Sequence, residues 1–160
     1  MANTLNIENT RIIFPNFKGE RTQYNRQGGR DFSIALDPEM AEDLQSQGFN
    51  VKWPKPNPDI SPEEDRRLPY LTVTVSNDQH VNPSIRIFIV DSGNPSRVDV
   101  TNQMELEMLD RLDISSADVV INPYHWEIQE QDGVKTGIKA YLKALYLNLN
   151  TDPFAAKYGA

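Results

Sequence analysis

Along much of the chain apolar residues recur at every second position, and the longest such run covers residues 137–150. Ile138, Ala140 and Leu142 share one face there, while Lys139, Tyr141 and Lys143 share the other, as in a strand buried on one side. Past Lys143 the row changes parity, because Leu145, Leu147 and Leu149 continue it on what had been the lysine face. A β-bulge near Lys143 or Ala144, or a second layer over the far half, would reconcile the two halves.

The rest of the chain reads in the same way. Leu5, Ile7 and Arg11-Ile12-Ile13-Phe14 predict an opening strand, Phe32, Ile34 and Leu36 a second, and Phe49, Val51 and Trp53 a third. Leu71, Val73 and Val75 alternate with Tyr70, Thr72 and Thr74 in a fourth. In the next, Ile85, Ile87 and Ile89 are inward, which leaves Arg86 and Phe88 outward unless the strand is covered on both faces. Val119 to Ile121, then Tyr124, Trp126 and Ile128, predict a strand interrupted at Asn122-Pro123, and Gln131-Asp132-Gly133 turns it back as an antiparallel hairpin into the run at 137–150.

Two segments carry helix signals. Asp37-Pro38 places an N-cap before a first-turn proline and Gly48 supplies the stop, so a helix is predicted over 38–47. Thr101 can cap another in which Met104, Met108, Leu109 and Leu112 form the buried stripe and Glu105, Glu107, Asp110 and Arg111 face water. Two stretches have no apolar period: residues 18–30, and residues 54–69 with Pro54, Pro56, Pro58, Pro62 and Pro69. Six or seven sequential strands without strand-helix-strand alternation predict a mainly β fold, a small barrel or sandwich with two short inserted helices. Residues 1–150 are expected to form one domain and 151–160 a short C-terminal tail.

Composition narrows the functions. The 160 residues contain no cysteine, which excludes a disulfide framework and a thiolate metal site. No segment is apolar enough to span a bilayer and the N-terminus lacks a basic-then-apolar leader, so a protein of the cytoplasm is expected, with no membrane partner. The net charge of -7 would repel a polyanion if it were spread evenly. It is not: Arg11, Lys18, Arg21, Arg26 and Arg30 face a single acid, Glu20, in residues 11–30, and Lys135, Lys139 and Lys143 stand together without one. Phosphate neutralisation is local on the scale of a Debye length of ~8 Å, so an acidic body can carry a basic face.

Catalytic chemistry is not written in the chain. There is no glycine-rich phosphate loop, His80 and His125 belong to no ligand-spaced cluster, and Ser92 and Ser96 have no nucleophile-elbow context. Asp110, Asp113 and Asp118 straddle a helix end and a turn without a supporting histidine or lysine, a poor arrangement for a two-metal centre.

What remains is cations interleaved with rings. Arg21, Tyr24, Arg26 and Arg30 with Phe17 nearby, Arg86 beside Phe88, and Lys139-Ala140-Tyr141-Leu142-Lys143 all suit a strand of nucleic acid, with cations for phosphates and rings for bases. The plain alternative is a solvated loop and rings packed into a core.

Further stretches carry a resemblance. Ala2-Asn3-Thr4-Leu5 leading to Arg11-Ile12-Ile13-Phe14-Pro15-Asn16-Phe17, then Asn50-Val51-Lys52-Trp53-Pro54-Lys55-Pro56, and Ile121-Asn122-Pro123-Tyr124-His125-Trp126 with Gly137-Ile138-Lys139-Ala140-Tyr141-Leu142, are similar to bacteriophage-encoded single-stranded DNA-binding proteins. The resemblance implies an OB-like barrel of five to seven antiparallel strands, coating of single-stranded DNA during phage replication or recombination in the host cytoplasm, and no cofactor. Replication or recombination proteins would be partners, and a homo-oligomer is open. Many such proteins end in an acidic tail with a terminal aromatic, whereas this chain ends Ala155-Ala156-Lys157-Tyr158-Gly159-Ala160, which argues against recruitment by the tail and leaves the acidic stretch 59–65 for that role.

The expectation is a non-catalytic single-stranded DNA-binding protein. Arg21, Arg26, Arg30, Lys139 and Lys143 would neutralise phosphates, and Phe17, Tyr24, Phe88 and Tyr141, with Trp53 or Trp126, would stack bases. Arg86 adds a cation beside Phe88. The alternative is a phage structural or assembly β protein that uses the same aromatic and basic surface against protein.

Overall fold

The computed structural model describes residues 4–20, 29–55, 57–61, 65, 67–76 and 81–149. In chain order these form β1 (Leu5–Asn16), β2 (Arg30–Ala35), α1 (Pro38–Gln47), β3 (Val51–Lys52), β4 (Tyr70–Ser76), β5 (Arg86–Asp91), β6 (Asn94–Arg97), α2 (Gln103–Leu109), β7 (Ile114–Glu130) and β8 (Gly133–Leu149).

Five strands close on themselves in the order β1-β2-β4-β8-β7 and back to β1. All of these pairings are antiparallel except β4–β8, where Thr74 lies opposite Tyr141. Closure through one parallel contact needs a long crossover, and β5, β6, α2 and β7 supply it. The expected mainly β, OB-like barrel with two short helices is what forms. Three strands lie outside the closed ring: β3 flanks β4, β5 runs parallel to the far half of β8, and β6 pairs with β5.

The interior is filled from every barrel strand by the apolar positions of the period-two rows. Ile7, Phe32, Ile34, Leu71, Val73, Val119, Ile121, Leu142, Leu145 and Leu147 are all buried. The parity change on β8 is a bulge. Ile121 pairs with Leu142 and Val120 with Ala144, so Lys143 has no opposite residue and the alternation restarts one step out of phase. One-residue displacement carries Leu145 and Leu147 to the same interior as Leu142.

Four local expectations are corrected. β7 does not break at Asn122-Pro123 but runs through it, with Pro123 opposite Ala140. β1 pairs with β7 only as far as Leu5 opposite Ile121, so at Pro123 that side of β7 is an edge without a partner from β1, where a proline is tolerated. The second helix is capped by Asn102, whose side chain accepts from the Met104 and Glu105 N–H groups, while Thr101 bonds Asp99 instead. Its buried pair is Leu106 and Leu109, leaving Met104 and Met108 exposed. A helix of seven residues can bury only a narrow stripe, and one starting at Gln103 puts the two leucines three apart on it. Asp110, expected in water, accepts from the Phe17 and Lys18 N–H groups at 2.8 and 3.1 Å and so fixes the end of β1 to the end of α2. The first helix spans the predicted residues, and Gly48 closes it at φ 117°, a left-handed position natural to glycine.

Among the described residues no helix is long and apolar enough to cross a membrane.

Candidate nucleic-acid interface

Both long strands outrun the barrel. Beyond the last contact with β1, β7 has β8 as its partner, and once β8 has passed Tyr141, opposite Thr74, and Ile138, which donates to the Gly48 carbonyl at 2.9 Å, the two strands run on as an arm. The register puts Tyr141 opposite Asn122, Lys139 opposite Tyr124, Gly137 opposite Trp126 and Lys135 opposite Ile128. Alternation places these side chains on one face, because Ile138 and Ala140 take the buried one. The face is therefore a patch of rings and lysines.

The contacts within the patch are specific. Tyr124 and Tyr141 meet edge to face at 6.0 Å and 80°, and the Lys139 ammonium sits 5.2 Å from the centre of the Tyr141 ring. Tyr124 is 57% exposed, so its ring is open to a ligand. The Trp126 indole lies against Gly137, where a Cβ would come within 2.4 Å of its Cζ2. Glycine thus leaves room for the indole to lie close against the β8 backbone.

Between this face and the β3–β4 edge lies a groove of about 520 Å³. Asn50, Lys52, Thr72 and Thr74 line one side, and Trp126, Lys135 and Lys139 the other. Among the described residues its charged lining consists of Lys52, Lys135 and Lys139, with no carboxylate. Just beyond it Asp31 lies opposite Thr74 on β2. Burial pushes the Asp31 carboxyl above its usual range, and nearby Lys139 pulls it part of the way back.

The residues picked out in the sequence divide sharply. Lys139, Tyr141 and Trp126 share the arm face. Lys143, at the bulge, is exposed but outside the alternating row. Trp53 is 39% exposed and donates from Nε1 to Gln45 Oε1 at 2.8 Å, which holds it to α1 and outside the groove lining. Phe88 stacks on Tyr146 at 5.0 Å and 7°, so it and Arg86 belong to a second surface beyond the bulge. Arg21, Tyr24 and Arg26 lie outside the described residues.

Two assignments are overturned. Phe17 is fully buried, stacked on Phe32 at 5.2 Å, because the interior at that end of the barrel needs a ring. Arg30 is 6% exposed and its guanidinium donates to Gln103 Oε1 on α2, so it joins the barrel wall to the helix. Lys52, Tyr124 and Lys135 were not singled out as site residues. The hairpin register from Gly133 would have paired Tyr124 with Lys139 and Ile128 with Lys135, but Lys52 reaches the groove through pairing of β3 with β4, a contact between distant parts of the chain.

The family model described as "Putative phage ssDNA-binding domain" matches residues 1–160, the whole chain. The chain belongs to this family. No curated protein matches it in sequence. The fold of this phage ssDNA-binding domain is similar to that of the single-stranded DNA-binding protein from bacteriophage Enc34. With the C-terminally truncated form the TM-score is 0.50 at 11% identity, over 94% of this chain and 88% of that one. With the untruncated protein it is 0.50 at 9% identity, over 98% and 90%. With that protein in complex with ssDNA it is 0.50 at 11% identity, over 94% and 89%. At such identities the barrel is what is shared, and the residues of the arm and groove in the phage ssDNA-binding domain described here have to be argued from its own geometry.

Proposed function

We propose that the chain binds and coats single-stranded DNA without catalysis, and that the DNA enters the groove between the β7–β8 arm and the β3–β4 edge. The observation that carries this is the meeting of Tyr124, Trp126, Lys139 and Tyr141 on one arm face, across from Lys52, in a member of the phage ssDNA-binding family. Lys52, Lys135 and Lys139 neutralise phosphates, and Lys143 adds its charge at the end of the row. Tyr124, Tyr141 and Trp126 offer ring faces, which take any base because every base has a π-face. Where described, the Arg86 and Phe88 surface beyond the bulge lies outside this path. Its place in biology is phage replication or recombination in the host cytoplasm, beside the proteins that act on the same strand. Family membership favours DNA over the protein interface of a structural or assembly component.

Fluorescence titration with single-stranded and duplex oligonucleotides tests the reading. The parent binds the single strand, and Lys139→Ala with Tyr141→Ala loses most of that affinity. Equal affinity of the parent and this double variant for the single strand would contradict it.

A further inference from the structure

We propose that Phe14, Tyr70 and Arg11 form a second base-stacking subsite, so that one DNA strand crosses from the β7–β8 arm over β4 and β2 to β1; this rests on the single-stranded DNA reading above. It starts from an irregularity in β1. Ile13 pairs with Ser33 and Asn16 with Asp31, which leaves one extra residue in β1, and Phe14 sits there at φ 51°. Ile12 pairs with buried Ile34, so unbroken alternation would carry Phe14 inward as well. The bulge turns it outward, where it is 67% exposed, and Phe17 takes the interior place against Phe32. A large ring held in solvent by a left-handed backbone loses burial and stores strain, a combination that accumulates at binding sites.

The exposed ring is not alone. Phe14 meets Tyr70 edge to face at 5.5 Å and 69°. The two rings border a hollow of about 660 Å³ whose walls include Ile13, Leu68 and, from the proline-rich stretch, Pro54 and Ile60. Those two residues thereby acquire a role as part of a wall. Arg67 in the lining is tied to Asp65 at 2.6 Å, while Arg11 on the same rim is exposed.

Continuity with the groove selects the occupant. Tyr70 lies opposite Lys52, which lines the groove, and also opposite Ala35, whose other neighbour across the sheet is Arg11. Four residues along β4, Thr74 lies opposite Tyr141. That places the two aromatic sites about 13 Å apart along β4 at ~3.3 Å per residue. Midway, buried Ser33 and half-buried Thr72 bond to each other at 3.0 Å, so small hydroxyl side chains and no bulky one lie between the two sites. Rings at both ends, a polar floor between them and cations at Lys52 and Arg11 suit a strand of stacked bases and phosphates.

The test is fluorescence anisotropy with a labelled oligothymidylate of about twelve nucleotides and an abasic strand of the same length, a span within known site sizes. Phe14→Ala is expected to weaken oligothymidylate binding by about five- to a hundredfold and leave the abasic strand unchanged, because one base loses its stacking partner. Phe14→Trp restores binding, and Tyr70→Leu reproduces the loss. If Phe14→Ala binds oligothymidylate like the parent while Lys139→Ala with Tyr141→Ala does not, the subsite is overturned and the groove reading stands. Equal loss on both strands shows an effect through the barrel and also overturns it. A parent that binds no oligothymidylate overturns both.

Discussion

Replacing Gly137 by alanine tests whether the indole of Trp126 is seated on the arm as described. Gly137 is not in the left-handed region, so its backbone accepts alanine, but the new Cβ would lie 2.4 Å from Trp126 Cζ2 and 2.7 Å from Cε2. The ring has to leave. A tryptophan buries about 150–250 Å², and displacing the indole from β8 exposes about 100 Å² of apolar surface, worth about 2.5 kcal/mol at ~25 cal/mol per Å². Alanine returns about 0.5–1 kcal/mol through its lower backbone entropy in a strand, leaving a net destabilisation of about 1.5–2 kcal/mol. Since Trp53 and Trp126 are the two tryptophans of the chain, a Trp53→Phe background makes emission report on Trp126 alone. Urea denaturation and emission spectra of Gly137→Ala in that background should show lower stability, a red-shifted indole and weaker binding of single-stranded DNA. An unchanged emission maximum with unchanged stability would refute the seating of the indole on Gly137.

Three further outcomes follow from charges and bonds. Asp110→Ala removes the acceptor of the Phe17 and Lys18 N–H groups and should cost about 2–3 kcal/mol in urea unfolding, with Asp110→Asn recovering part of it. Asp31 has its carboxyl raised in the fold, so its contribution to stability is full below the ordinary value of 3.8, where it is protonated in both states, and is lost as pH rises through the folded value. Asp31→Asn should therefore stabilise the protein at neutral pH, show no such gain in acid, and tighten DNA binding by removing a carboxylate beside Lys139. Asp65 is held down to about 2 by its hydrogen bonds with Arg67. The contribution of that pair is present above 3.8 and is lost as pH falls through about 2, and the carboxyl titration of Asp65 followed by NMR should have its midpoint near there.

Much of this was legible because period-two rows report burial directly. The reversal of parity after Lys143 required either a bulge or a covering layer, and the register shift at Lys143 is the bulge. Lys139 and Tyr141 were readable for the same reason: their neighbours Ile138, Ala140 and Leu142 had to be inside. What escaped was set by contacts between remote segments. Nothing local marks Phe14 for the surface and Phe17 for the interior, because the exchange is made by a bulge whose extra residue is a phenylalanine at φ 51° where a glycine would have signalled it. Arg30 looked like one more cation of a basic loop, yet it begins β2 and reaches Gln103, a partner fixed only when α2 packs on the barrel. Lys52 entered the groove unannounced because two residues of β3 pair with a strand reached through the proline-rich stretch.

The central claim is that Lys52, Lys135 and Lys139 hold phosphates of a single strand in the groove. The most direct measurement is the salt dependence of oligothymidylate binding by the parent and by Lys52→Ala, Lys135→Ala, Lys139→Ala combined. Each phosphate neutralised on single-stranded DNA contributes about 0.7 to the slope of log affinity against log salt, so the triple variant should be shallower by about 2. Parallel lines for the two proteins, whatever their absolute affinities, would contradict the account.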